Sequence, residues 1–118
     1  MAWPNKEFLK LIKDREIVAD INDSVGKGWF SLVSQMFDEL LIAGWDKHLS
    51  QIKEKFGALR VYVSDSNPEI QKIIRKYEEL SVTICEHCGK PGKIVNDNYW
   101  MKTSCPEHTS TKSREWGD

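Results

Sequence analysis

HLSQIKEKFGALRVYVSDSNPEIQKIIRKYEEL, residues 48–80, holds two hydrophobic periods in succession, and their order sets the expected fold. Ile52, Glu54 and Phe56 alternate with Lys53 and Lys55; further on, Leu59, Val61 and Val63 alternate with Arg60 and Tyr62. A period of two belongs to a strand with one buried face. Gly57-Ala58 separates the runs, and a glycine at the first central position suits a two-residue type II′ turn, so the spacing predicts a β-hairpin over 49–64. In that register Phe56 faces Leu59, Lys55 faces Arg60 and Lys53 faces Tyr62. The apolar rows then coincide on one face, with Glu54 the exception. Beyond the turn at 64–67 the period lengthens. Asn67 caps a helix with Pro68 in its first turn and Glu69 near its positive end, and Ile70, Ile73, Ile74 and Tyr77 follow the i, i+3, i+4, i+7 rule over 67–80. A hairpin followed by an amphipathic helix predicts an α+β body, a small antiparallel β-sheet packed by amphipathic helices.

Upstream, apolar residues at 29, 30, 32, 33, 36, 37, 40 and 41 form a broad helical face, which predicts a helix over 29–43. Gly44 stands where a left-handed C′ residue is needed, and Trp45 can pack back on the last turn. A shorter helix is expected over 5–14, with Asn5 as N-cap and Phe8, Leu9, Leu11 and Ile12 as its stripe. Residues 15–28 read as an irregular connection, within which 17–21 are compatible with a strand.

The C-terminal third carries a different signal. CEHCGKPGKIVNDNYWMKTSCPEH, residues 85–108, contains all three cysteines, arranged as Cys85-x-x-Cys88 and, after sixteen intervening residues, Cys105-x-x-His108. A two-residue gap on a tight knuckle lets both side chains of a pair aim at one point. Two such pairs supply the four tetrahedral S and N ligands that zinc prefers. Four protein ligands close the coordination shell, so the spacing predicts one structural Zn2+ per chain rather than a catalytic one. His87 lies inside the first knuckle, between the ligands, and is expected to point outward. Residues 93–95 and 99–102 flank Asn96-Asp97-Asn98 and predict a hairpin between the ligand pairs. The domain organisation is thus a body over 1–80, a zinc-ribbon-like module over 81–108 and a polar tail over 109–118, in which Trp116 is either docked in a groove or an anchor for a partner.

Composition bounds the function. The chain has 118 residues, 17 Lys and Arg against 18 Asp and Glu, and a net charge of −1, where a dedicated duplex-DNA binder is normally basic. No apolar run approaches the ~20 residues of a membrane span, and the opening MAWPNK predicts no secretory leader. Reduced thiolates on a metal predict a cytoplasmic setting. No nucleophile elbow, phosphate-binding glycine loop or His-Glu-x-x-His sequence is present. A deaminase needs a His-x-Glu, and His48, His87 and His108 are followed two places on by Ser50, Gly89 and Ser110. The sequence therefore predicts a protein that binds rather than catalyses.

The candidate binding face is Lys53, Lys55, Arg60 and Tyr62. These residues share the hairpin's polar side, either as a solvated surface or as a contact for an anionic partner. Several segments together resemble small proteins encoded by bacteriophages and bacterial genomes. They are Gly28-Trp29-Phe30 opening a helix, IKEKFGALRVY at 52–62, and Ser81 leading into Cys85-x-x-Cys88-Gly89-x-Pro91-Gly92. Trp100, Thr103 and Cys105-x-x-His108 complete the set. The resemblance spans about residues 28–108. It implies the fold and the zinc site, and it implies an accessory factor that engages and modulates a host protein such as a defence component. A nucleic-acid-binding zinc-ribbon protein using the same basic face is the alternative.

Overall fold

The computed structural model describes residues 6–19, 25–64, 67–97 and 100–106. Asn5, the loop residues 98–99, His108 and the tail 109–118 with Trp116 lie outside the described residues.

The described residues form three helices. In α1, Lys6–Asp14, Phe8 and Ile12 lie one turn apart and are the buried pair. A 3-10 turn at Lys27–Trp29 leads into α2, Phe30–Ile42, which buries Leu32, Val33, Met36, Phe37 and Leu40. Gly44 ends this helix at φ +93°, with its N–H donating to Leu41 O at 3.1 Å and the Trp45 N–H donating to Leu40 O at 2.9 Å. This is the Schellman closure expected of a glycine at that position. Trp45 packs back, its ring stacked on Phe37 at 6.0 Å. In α3, Pro68–Ser81, the Asn67 side chain accepts from the Glu69 N–H at 2.8 Å, and Ile70, Ile74 and Tyr77 turn inward.

The sheet follows the order β1-β2-β3, with β1 at Val18–Ala19, β2 at His48–Lys55 and β3 at Ala58–Val63. β1 runs parallel to β2, pairing Val18 with His48 and Ala19 with Leu49, so the sheet is mixed and not purely antiparallel as expected. Two residues are too short for a readable period, and α2 supplies the crossover that a parallel pair requires.

The hairpin register also differs from expectation. Lys55 pairs with Ala58, Glu54 with Leu59, Lys53 with Arg60 and Ile52 with Val61. The turn is Phe56-Gly57, at φ +55° and +87°, so both central residues are left-handed, as in a type I′ turn and not II′. Two hydrogen bonds hold it there. The Glu54 carboxylate accepts from the Gly57 N–H at 2.7 Å, and the Thr103 hydroxyl donates to Gly57 O at 2.5 Å. Each partner has moved by two residues, an even slip that keeps the paired strand residues on their expected faces, but Phe56, expected opposite Leu59 in the apolar row, becomes an exposed turn residue. A bulge between Leu49 and Gln51 shifts the phase, so that Leu49 joins Ile52 in the core.

The core is one cluster in which Phe8, Trp29, Phe37 and Leu40 from the helical side meet Leu49, Ile52, Leu59 and Val61 from the sheet. α3 also covers the free edge of β3: Ser81 Oγ accepts from the Leu59 N–H at 2.9 Å and Glu78 Oε2 from the Val61 N–H at 3.0 Å. An open edge would otherwise offer these donors to another chain. The second sheet pairs β4, Lys93–Asp97, with β5, Trp100–Ser104, as the hairpin expected between the cysteine pairs. No helix among the described residues is long and apolar enough to cross a membrane.

Candidate metal centre and binding face

The first knuckle is closed by its own backbone. Cys85 N–H donates to Lys90 O at 2.8 Å, Gly89 N–H donates to Cys85 O at 2.9 Å, and Ile84 bridges Pro91. Gly89 has φ +85°, the left-handed position this turn needs. Cys105 arrives directly after β5, whose Thr103 carbonyl accepts from the Glu86 N–H at 3.1 Å and so fixes the second pair against the first. Cys88 Sγ and Cys105 Sγ are 3.5 Å apart, and the three sulfurs of Cys85, Cys88 and Cys105 lie within 4.8 Å of one another. A tetrahedral site with metal–sulfur bonds of about 2.3 Å has edges of about 3.8 Å. The cluster therefore has the size and the donor chemistry to hold a metal ion. His108, the expected fourth ligand, lies outside the described residues, and His87 is exposed, as expected.

The thiols respond to one another. Burial pushes the Cys85 thiol up, but backbone hydrogen bonds to Cys105, Cys88 and His87, with the Cys88 side chain, outweigh it, and its pKa falls below the usual 9.0. Cys88 moves the other way. The Lys90 backbone favours its thiolate, but burial, the Cys105 and Cys85 side chains and the charge of Cys85 push it above 9.0. Neighbouring thiols oppose each other's ionisation unless a cation neutralises them, which is the demand a metal meets.

The knuckle is seated on the body and does not swing free. Gly28 N–H donates to Glu86 O at 2.7 Å, Gly26 N–H donates to Glu86 Oε2 at 2.9 Å, and the buried Trp29 Nε1 donates to Ile84 O at 2.8 Å. Gly28 and Trp29 thus lead into α2 and hold the cysteine module at once. On the other side, Gly57 at the hairpin tip lies against the Lys102 backbone, where an added Cβ would sit 3.2 Å away.

The basic hairpin residues fall together. Lys53 is directly opposite Arg60, where Lys55 had been expected; Lys55 is opposite Ala58, with its ammonium 5.7 Å from the Phe56 ring. Lys53, Lys55 and Arg60 form no ion pair with a described residue; the ion pairs present belong to Lys10, Arg15, Lys47, His48 and Lys76. Tyr62 is 45 % exposed on the same face and Phe56, at the tip, 65 %. A like-charge pair directly across two strands is unfavourable by itself, and an anion would relieve it.

Sequence reasoning named no carboxylate pair, yet Glu54 and Glu86, distant in the chain, line one cavity of about 370 Å³ with His87 and Lys102. Burial raises the Glu86 pKa above 4.5, the Gly26 N–H opposes that, and the charge of Glu54 adds to it. Only the docking of the knuckle unites them, and no local spacing carries that signal. Comparison with protein-family models, with curated proteins and with solved structures gives no match.

Proposed function

We propose that this chain is a zinc-braced binding protein, not a catalyst, that engages an acidic surface of another protein through its hairpin. Cys85, Cys88 and Cys105, with His108 as the fourth ligand, would hold the zinc, whose work is to keep the C-terminal module against the hairpin tip. The observation that carries the reading is the face itself: Lys53, Lys55 and Arg60 without ion pairs among the described residues, beside exposed Phe56 and Tyr62. Exposed aromatics beside an arginine are the composition of a contact surface, and the two lysines give it its charge. A net charge of −1 favours a limited contact with a protein over broad coverage of a nucleic acid. The resemblance to phage-encoded accessory proteins supports a host protein, such as a defence component, as the partner, and inhibition as the outcome.

Affinity capture from a host lysate tests this. One dominant species is expected, lost when Lys55 and Arg60 are both changed to Glu; recovery of the same species by that variant sinks the proposal. A second reading, single-stranded nucleic acid stacking on Phe56 and Tyr62, follows from the same aromatics. It requires binding that weakens steeply with salt, with a slope flattened by Lys55→Ala.

A further inference from the structure

Beside the hairpin face lies a groove that the hairpin alone does not make. Arg60 and Tyr62 of β3 form one wall, Gln71 and Arg75 of α3 the other, and the cavity between them is about 290 Å³. Neither Arg60 nor Arg75 forms an ion pair with a described residue. Glu78 also lines the groove: its Oε2 accepts from the Val61 N–H at 3.0 Å, so its carboxylate stands at the β3 edge of the same cavity as one negative charge against the two guanidiniums.

We propose that this groove binds a phosphate group, with Arg60 and Arg75 as its charged donors and Tyr62 and Gln71 as its neutral ones. Two guanidiniums against one carboxylate leave the cavity lining with a net positive charge, which an oxyanion between them neutralises. A planar carboxylate satisfies one guanidinium fork, whereas a tetrahedral phosphate has oxygens for donors on both walls. The two walls come from different elements, so only the folded chain assembles the site. The proposal deepens the reading of the hairpin as a contact face, because Arg60 and Tyr62 belong to both.

The test is titration of the full zinc-loaded chain with inorganic phosphate at constant ionic strength, followed by calorimetry and by the amide resonances of residues 60, 62, 71 and 75. Saturable binding is expected, with acetate at least about tenfold weaker. Arg75→Gln should weaken phosphate by about tenfold or more, the loss of one charge-assisted hydrogen bond. Lys13→Gln, on the exposed side of α1 and outside both groove and hairpin face, should leave phosphate binding within about twofold. Absence of saturation, equal binding of acetate, or an unchanged affinity in Arg75→Gln overturns the site. Arg75 is not part of the hairpin face. Loss of partner capture in the Lys55 and Arg60 variant alongside failed phosphate binding would therefore overturn the groove alone, while retained capture with intact phosphate binding would overturn the contact face alone.

Discussion

Gly28 has room for a hydrogen and nothing larger. A Cβ there would lie 2.2 Å from Cys85 O and 2.5 Å from Gly89 N, both backbone atoms of the cysteine knuckle. Gly28→Ala should therefore push the knuckle off the body, costing about 3 kcal/mol and loosening metal binding. Gly44 is a contrast: its φ is +93° and nothing lies within 4 Å of an added Cβ. Gly44→Ala should cost about 1–2 kcal/mol through backbone strain and leave the metal untouched. Urea unfolding with a zinc competition assay on both variants separates the effects, and an equal loss of zinc affinity in the two would refute the argument. The pair also marks what a sequence can display. Gly44 is legible because its reason is local, the end of a periodic helix. Gly28 answers to residues nearly sixty positions away, and nothing near it in the chain announces them.

At the scale of elements, the helices were readable from their stripes and Asn67 from its cap position, but the hairpin turn was not. Alternation determines only which face a residue takes, and a slip of two residues preserves the face of every residue that stays paired. The choice between Gly57-Ala58 and Phe56-Gly57 rests on the Glu54 carboxylate and on Thr103, contributed from another sheet. The edge of β3 is protected in the same nonlocal way. Ser81→Ala would leave the Leu59 N–H, inside a fully buried residue, without its acceptor and should cost about 1–3 kcal/mol in a urea titration; a loss under about 0.5 kcal/mol would mean the edge is satisfied otherwise. The joint between α2 and α3 titrates. Tyr77 donates to the Glu39 carboxylate, which also accepts from Lys76 Nζ at 2.7 Å. Burial, then the Glu39 hydrogen bond and charge, pushes Tyr77 from 10.0 up to about 12. The unfolded chain thus releases that proton first, so the contribution is full below pH 10 and lost as pH rises towards 12. Hydrogen bonds from Lys76 and Tyr77 hold Glu39 below 4.5, so its contribution is full above that pH and lost as the pH falls through the lowered value. Melting temperature against pH should show both declines, with Tyr77→Phe abolishing the alkaline one and reducing the acid one.

Taken as a whole, the molecule joins a body with its own hydrophobic core to a module that has almost none. The core cluster runs from Phe8 to Tyr77, and among the described residues of the C-terminal module Ile84 alone packs against it. Cys85 and Cys105 are buried but stand outside that cluster, and two thiols are too little to supply a hydrophobic core. Removing the metal should therefore release the module and spare the body. Thiolates deprived of their cation would repel, the Cys85 to Lys90 and Gly92 to Thr83 hydrogen bonds would open, and the seat on Gly28 and Trp29 would be lost with them. Amide hydrogen exchange with and without a chelator checks this residue by residue. Exchange at Cys85, Gly89 and Gly92 should accelerate by about a hundredfold or more, while Met36, Phe37 and Leu40 keep their protection. Equal acceleration at both places would show that body and module open as one unit. No acceleration at the knuckle would show that the three cysteines hold no ion, and the brace would have to come from the glycine contacts alone.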